Sequence, residues 1–322
     1  MCTAVSYRPK SHYFGRNFDL ERSYDEKIVI TPRNYPLKFR NGKQIPSHYA
    51  MIGTAAIANE YPLYFEATNE KGLSIAALNF PDSAIYHPET DSKENITPYE
   101  LPLWLLGQCN SVIEAATKLN EINLWDKPFS QEYPLSPLHW LICDRQSSYT
   151  LESVNTGLKL YDNPIGILTN NPPFPYHMYN LANFMQLTHK PPHNRQPIEL
   201  KPYSFGMGSF GLPGDMSSGS RFIKAAFTKM HSICGETEEN AVNQFFHILN
   251  SVLQPKGLTQ LPNGDYEFTR YSSCCNTDTC VYYYKTYENP TIHAIDMHQE
   301  NLDENFLITY PMIDTAMILR QN

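Results

Sequence analysis

Short apolar runs dominate the first third of the chain and predict β-strands. Lys27–Thr31 is one such run and is closed by Pro32, while residues 72–80 follow a turn-like segment at 69–72. Residues 155–157 predict a hairpin turn between two later strands. The later strands are predicted at residues 138–144, 149–154, 158–161, 166–169, 281–286 and 291–297.

Two capping boxes predict a pair of helices between these groups of strands. The first box spans residues 97–100, with proline at the first helical position, and the second spans residues 111–114. A second pair of helices is predicted at residues 220–230 and 239–253. Residues 173–215 are rich in Pro, Gly, His and Asn, and this composition indicates a long irregular loop or an assembly surface.

The order of these elements predicts the fold class. Strands, two helices, strands, two helices and strands follow one another, which favours an α+β fold with two sheets between helical layers. A doubly wound parallel sheet would alternate strands and helices instead. The chain has no internal repeat and no visible domain boundary, so we expect residues 1–322 to form one domain.

Composition and charge narrow the classes of partner. Apolar residues make up 41% of the chain and aromatic residues 13%, which is enough for a substantial core. The net charge of -8, without any basic cluster, argues against nucleic acid. No apolar run reaches the length of a membrane span and no signal peptide is recognisable, so we expect a cytoplasmic protein with reduced cysteines and no membrane partner.

Cys2 is the first candidate for chemistry. Methionine before a small residue is normally removed, and this would leave Cys2 at the start of the chain. An N-terminal cysteine carries a thiol nucleophile and an α-amino group that can serve as its base. Cys2 could equally be a small residue without a catalytic role, so the interpretation depends on its context.

Arg16 and Asp19 supply that context, because they place opposite charges three residues apart after the first predicted strand. The carboxylate can orient the α-amino group, and the guanidinium can favour the thiolate. A surface ion pair is the simpler interpretation of the same two residues.

Seven short motifs occur in the order and spacing of the choloylglycine hydrolase family, which the chain resembles from Cys2 to the last predicted hairpin. They are MCTA, FGRNFD, NEKGL followed by LNFP, LTNNP, GLPGD, SRF and YYYKTYEN. The resemblance implies a four-layer αββα N-terminal-nucleophile hydrolase fold. It is strongest to the bile salt hydrolase branch, because Asn79 replaces the tyrosine found in some penicillin V acylases.

The same resemblance implies roles for individual residues. Cys2 matches the nucleophile, and Arg16 and Asp19 match the charged pair of the active site. Asn79 matches the backbone donor to the oxyanion and Asn170 the side-chain donor. Arg221 matches the arginine beside the nucleophile; taken alone, the two asparagines would be ordinary turn or capping residues.

The activity implied is hydrolysis of the amide that joins a bile acid to glycine or taurine. A pocket for a steroid is expected to be mostly apolar, and the residues expected to line it are Phe18, Tyr24, Phe129, Tyr133 and Leu138. Penicillin V and N-acyl homoserine lactones are alternative substrates for the same catalytic set. A catalytically silent binding homologue is a further alternative, which the complete set of predicted catalytic residues disfavours.

No cofactor or metal is expected. Cys274, Cys275 and Cys280 lack the Cys-x-x-Cys spacing of a metal site. We expect Cys109, Cys143 and Cys234 to be buried as small apolar residues. Gly206, Gly208 and Gly211 lack the ending of a phosphate loop, and the resemblance instead implies a loop that reaches across the subunits of a homotetramer.

Overall fold

A computed structural model describes residues 1–322, which form two antiparallel sheets packed face to face. The first sheet has seven strands. Six of them follow one another in the spatial order β14 (Ile167–Leu168), β1 (Cys2–Tyr7), β2 (Tyr13–Leu20), β16 (Tyr266–Asn276), β17 (Val281–Thr286) and β18 (His293–Asp296), and the short β15 (Thr259–Gln260) also pairs with β16.

The second sheet has eight strands, again in spatial order: β13 (Gly157–Asp162), β12 (Ser148–Val154), β11 (Leu138–Cys143), β8 (Ser74–Asn79), β7 (Tyr61–Asn69), β6 (Met51–Ala58), β3 (Lys27–Thr31) and β19 (Ile308–Pro311). Two small ribbons lie outside the sheets and pair β4 (Leu37–Lys38) with β5 (Gln44–Ile45) and β9 (Glu94–Ile96) with β10 (Ile122–Leu124).

Helices cover the outer face of each sheet. The second sheet is covered by α1 (Leu101–Gln108) and α2 (Val112–Leu119), and the first by α4 (Ser218–His231) and α5 (Glu238–Asn250). The remaining helix, α3 (Phe174–Leu181), packs against α4. The predicted α+β fold with four αββα layers is therefore confirmed, and none of the helices combines the length and apolar character needed to cross a membrane.

Three apolar clusters lie between these layers. One joins the first sheet to α4 and α5, one joins the second sheet to α1 and α2, and one lies between the two sheets, where Ile30 and Ile52 meet Tyr282 and Tyr284. Because β1 is central to the first sheet and covered on both faces, all six of its residues are buried. Cys2, the first residue of β1, therefore lies inside the protein.

Several local predictions need correction. The helix predicted to begin at Pro98 begins at Leu101, because the Thr97 hydroxyl donates to the Glu100 carboxylate (2.7 Å) instead of capping the helix. The second box is confirmed, since the Ser111 hydroxyl accepts from the Glu114 N–H. The segment predicted to be irregular from residue 173 contains α3, whose first turn accommodates proline without loss of a hydrogen bond.

Candidate active site

Cys2 begins β1 and is 4% exposed. Its backbone N–H donates to the Asn170 side-chain oxygen (2.8 Å), and its Sγ lies 3.9 Å from the backbone oxygen of Asp19. Met1 is present in the structure, so the Cys2 nitrogen is an amide here. The Met1 ammonium group contacts the Glu267 carboxylate and donates to the Asp19 carbonyl (3.1 Å).

Arg221 binds the main chain of Cys2 on the side away from the cavity. It lies in α4, whose first turn is capped by a serine hydroxyl, and its side chain is fully buried. Nη1 donates to the Cys2 carbonyl (2.6 Å) and to the Thr3 hydroxyl (2.7 Å), while Nη2 donates to the Asn170 side-chain oxygen (2.7 Å). Burial lowers the pKa of Arg221, and the nearby Asp19 and Cys2 oppose this effect.

Arg16 lies on β2, beside Cys2. The register pairs Cys2 with Phe18, so Arg16 is the diagonal neighbour two residues along the same face, within reach of a long side chain. Gly15 precedes it because a Cβ there would lie 2.0 Å from the Ser273 backbone oxygen of β16.

The Arg16 guanidinium is anchored by backbone carbonyls. Its Nη1 donates to Phe65 (3.1 Å) and Ala77 (2.5 Å). Burial alone would lower the pKa of Arg16, but Cys2, Tyr271 and Glu66 raise it overall. Arg16 therefore provides a permanent positive charge beside the thiol.

Asp19 is a buried carboxylate held by neutral donors. Its two oxygens accept from the Thr269 hydroxyl (2.6 Å) and from the Gln254 side-chain amide (2.8 Å). No cationic nitrogen lies within 4.0 Å of the two side-chain oxygens of Asp19, since all the ion pairs of the chain involve other carboxylates. This arrangement leaves Asp19 able to attract a positive group at the start of β1.

The backbone of Asn79 faces the same place. The N–H of Phe80 donates to Pro137 of the segment before β11, so by antiparallel alternation residues 77 and 79 point to the opposite edge of β8. Arg16 binds the Ala77 carbonyl at that edge. The Asn79 N–H therefore points towards the site, where β7 no longer pairs with β8.

Asn170 links three parts of the site. Its oxygen accepts from Cys2 and Arg221, and its Nδ2 donates to the Asn79 carbonyl (2.7 Å). An amide NH₂ has two hydrogens, so one donor remains beyond the bond to Asn79. The backbone of Asn170 is fixed by the Ser218 hydroxyl (2.8 Å) and by His177, whose Nε2 lies 2.9 Å from the carbonyl.

A cavity of about 360 Å³ opens in front of Cys2. Fourteen of its 22 lining residues are hydrophobic, and its polar end contains Cys2, Arg16, Asp19 and Asn79. All five residues predicted to line a substrate pocket lie in this wall, namely Phe18, Tyr24, Phe129, Tyr133 and Leu138. Phe129 and Tyr133 contact each other edge to face, with ring centroids 6.1 Å apart.

The structure thus brings all six predicted catalytic residues together, although Asn170 and Arg221 lie behind Cys2 and outside the cavity wall. Sequence reasoning missed the residues that orient them: Thr3, Glu66, Gln254, Thr269 and Ser218. Each of them is distant in sequence from the residue that it contacts. For Gln254, Thr269 and Ser218 the separation is 48 to 250 residues, and no local motif marks them.

The other cysteines are free thiols. Burial raises the pKa of Cys274 and Cys275 well above the usual value of a thiol. No group of three or more His, Cys, Asp or Glu side chains has the arrangement of a metal site. Cys109 and Cys143 are buried as expected, but Cys234 is only partly buried, because it follows the end of α4 on the surface.

Residues 2–310 match the family model of the linear amide C–N hydrolases, choloylglycine hydrolase family. The chain belongs to the choloylglycine hydrolase family. It is 51% identical to the bile salt hydrolase/transferase of Lactiplantibacillus plantarum and 38% identical to that of Clostridium perfringens, and in both cases the alignment covers 100% of each chain. The resemblance drawn from the seven motifs is confirmed.

Solved structures agree with the family fold. A mutant conjugated bile acid hydrolase from Clostridium perfringens superposes with a TM-score of 0.91 at 37% identity, covering 100% of both chains. A penicillin V acylase from Agrobacterium tumefaciens gives a TM-score of 0.77 at 19% identity, covering 98% of this chain and 95% of the acylase. The second similarity shows the shared fold alone.

Proposed function

We propose that this protein hydrolyses the amide bond of glycine- or taurine-conjugated bile salts and releases free bile acid and amino acid. The observation that carries the proposal is the position of Cys2 at the polar end of a mostly apolar cavity. A conjugated bile salt has a rigid apolar body and a single polar head, which matches this division. The relatives named as bile salt hydrolases support the same substrate class.

The proposed reaction starts with removal of Met1. The freed α-amino group of Cys2 then accepts the thiol proton, and the buried carboxylate of Asp19, whose backbone oxygen lies 3.9 Å from Cys2 Sγ, orients that amine. Arg16 lies next to Cys2 in the sheet and favours the thiolate. The thiolate attacks the amide carbonyl, and a tetrahedral oxyanion forms.

We propose two donors for the oxyanion. They are the Asn79 backbone N–H and the remaining hydrogen of Asn170 Nδ2. When the C–N bond breaks, the leaving amine takes the proton from the α-amino group. Water then hydrolyses the thioester, and Arg221 keeps the Cys2 backbone in place through both steps.

Transfer is a second candidate function of the same site. Two relatives are named hydrolase/transferase, and an acyl-thioester can pass its acyl group to an amine instead of water. Penicillin V hydrolysis remains an alternative substrate class that uses the same catalytic residues.

We also propose that residues 1–322 form one domain, as a homotetramer in the cytoplasm. The segment from α3 to the residues after α4 supports self-association, since it exposes large apolar side chains: Tyr179, Met185, Tyr203, Phe205, Phe210 and Ile233. The seven free cysteines agree with a reducing compartment.

The test is amine release from glycocholate, taurocholate and penicillin V by the wild-type protein, C2A and C234A. Intact mass first verifies that Met1 is absent. We expect release from both bile salts, loss of release in C2A, and wild-type rates in C234A, because Cys234 is partly exposed but does not line the cavity. Faster cleavage of penicillin V would assign the protein to the acylases, and release by C2A would refute Cys2 as the nucleophile.

A further inference from the structure

Behind Arg16 lies a polar cluster that joins the two sheets. Glu66 of β7 is 1% exposed and reaches across to the inner face of the first sheet. Its Oε1 accepts from the Tyr282 hydroxyl (2.6 Å), and its Oε2 accepts from the Tyr271 hydroxyl (2.9 Å). The same Oε2 lies 3.9 Å from Arg16 Nε.

A carboxylate at this depth is costly, because burial removes the water that would stabilise its charge. Burial raises the pKa of Glu66, and Arg16 together with the tyrosine hydroxyls opposes that effect. Buried ion pairs contribute little net stability compared with apolar residues of similar volume. The cluster therefore calls for a role beyond packing.

The geometry connects this cluster to the thiol. Arg16 Nη1 is occupied by two carbonyls, whereas the buried Nη2 has no hydrogen-bond partner in the protein. Nη2 is thus a free donor on the Arg16 guanidinium. Arg16 and Cys2 both line the cavity. Tyr271 also stacks on Phe18 of that wall, with ring centroids 5.0 Å apart.

We propose that Glu66 is a positioning residue that acts through Arg16 and limits the positive charge felt by the Cys2 thiol. This inference rests on the proposed role of Cys2 as nucleophile. Charged and titratable groups face Cys2 and Arg16 from several elements: Asp19 on β2, Arg221 on α4, Glu267 and Tyr271 on β16, Tyr282 on β17 and the α-amino group. Among the carboxylates, Glu66 alone lies within 4.0 Å of Arg16.

The variant E66Q isolates the charge of Glu66 from its hydrogen bonds. A glutamine oxygen can still accept from Tyr271, and its NH₂ can donate to the Tyr282 oxygen, because Tyr282 also lies 2.5 Å from the Thr54 hydroxyl and can donate there. Without the carboxylate, Arg16 is less neutralised and favours the Cys2 thiolate more strongly. The expected result is a lower midpoint pH for alkylation of Cys2.

The experiment measures the rate of iodoacetamide alkylation at Cys2 against pH, by mass spectrometry of the N-terminal peptide from the processed full-length enzyme. We expect the midpoint of E66Q to fall by about one pH unit. E100Q is the matched control, because Glu100 is also 1% exposed but binds Thr97 and the backbone of residue 40 in the outer layer. Its midpoint should equal that of the wild type.

An unchanged or higher midpoint in folded E66Q would overturn the proposal. If E66Q fails to fold, Y282F provides the second test, since losing one donor raises the pKa of Glu66 and weakens its charge. Its midpoint should then fall by a smaller amount, and no fall would overturn the proposal. Retention of full hydrolysis after wild-type Cys2 is alkylated would instead refute Cys2 as the nucleophile.

Discussion

Replacing Asn170 by alanine tests the assignment of the oxyanion donor. The substitution removes Nδ2, which is held in place by its bond to the Asn79 carbonyl. It also removes the oxygen that accepts from Arg221 Nη2 and from the Cys2 nitrogen. N170A therefore has one expected effect on catalysis and a second on stability.

The two effects have different sizes. Loss of one oxyanion donor costs about 3–4 kcal/mol of barrier, or roughly a hundredfold to a thousandfold in kcat. The buried Nη2 of Arg221 loses its acceptor, which reduces the free energy of unfolding by about 1–3 kcal/mol. The stability loss alone leaves most of the enzyme folded and does not account for such a fall in kcat.

T3V is the matched control for N170A. The Thr3 hydroxyl is buried and accepts from Nη1 of the same Arg221 (2.7 Å), but it offers nothing to the oxyanion. Urea unfolding should show a smaller loss of stability in T3V than in N170A, because Arg221 Nη1 keeps the Cys2 carbonyl as an acceptor (2.6 Å). Turnover of glycocholate should fall steeply in N170A and much less in T3V.

Equal losses of kcat in N170A and T3V would refute the reasoning. That result would mean that both substitutions act by displacing Arg221 and the Cys2 backbone. A fall in kcat/KM caused only by a higher KM in N170A would refute it as well, since an oxyanion donor acts in the transition state.

Two further predictions concern the cavity and the remaining thiols. F129A should raise KM for glycocholate and taurocholate about tenfold with little change in kcat, because it removes apolar surface from the cavity wall without touching Cys2; Michaelis–Menten kinetics measure this, and a fall in kcat alone would contradict it. At pH 8, iodoacetamide should modify Cys2 and spare the buried thiols of Cys109, Cys143 and Cys280, because burial raises the pKa of each to about 12 and keeps it protonated. Peptide mapping measures this, and modification of any of these three at pH 8 would contradict it.

The residues that carry chemistry were predictable because each lies in a distinctive short motif. Arg16 and Asp19 come from one strand, whereas Asn170 and Arg221 come from segments more than 150 residues away. Their meeting at Cys2 could be inferred only through resemblance to a family. Local periodicity carries no information on such distances.

The structure differs from the sequence expectation where tertiary contacts decide the outcome. No element is predicted for residues 266–276, yet Tyr266–Asn276 forms the long strand β16, which pairs with β2 and β17. Phe174–Leu181 is helical because its buried residues pack on α4. The prolines in and before this segment make a helix hard to predict from the sequence. Glu66 stands in the sequence as an ordinary strand residue of the second sheet, and Arg16 becomes its neighbour only because the first sheet packs against that strand.

The position of Cys2 at the first residue of a central strand has a consequence for producing the protein. Any extension before Cys2 has to pass through the partly buried space beside Asp19 and Glu267, where Met1 lies in the structure. A purification tag at that end would keep the Cys2 nitrogen in a peptide bond, and without a free α-amino group as base the enzyme would be inactive. Residues 313–322 are exposed at the other end of the chain, so a carboxyl-terminal tag is the design that leaves the enzyme active.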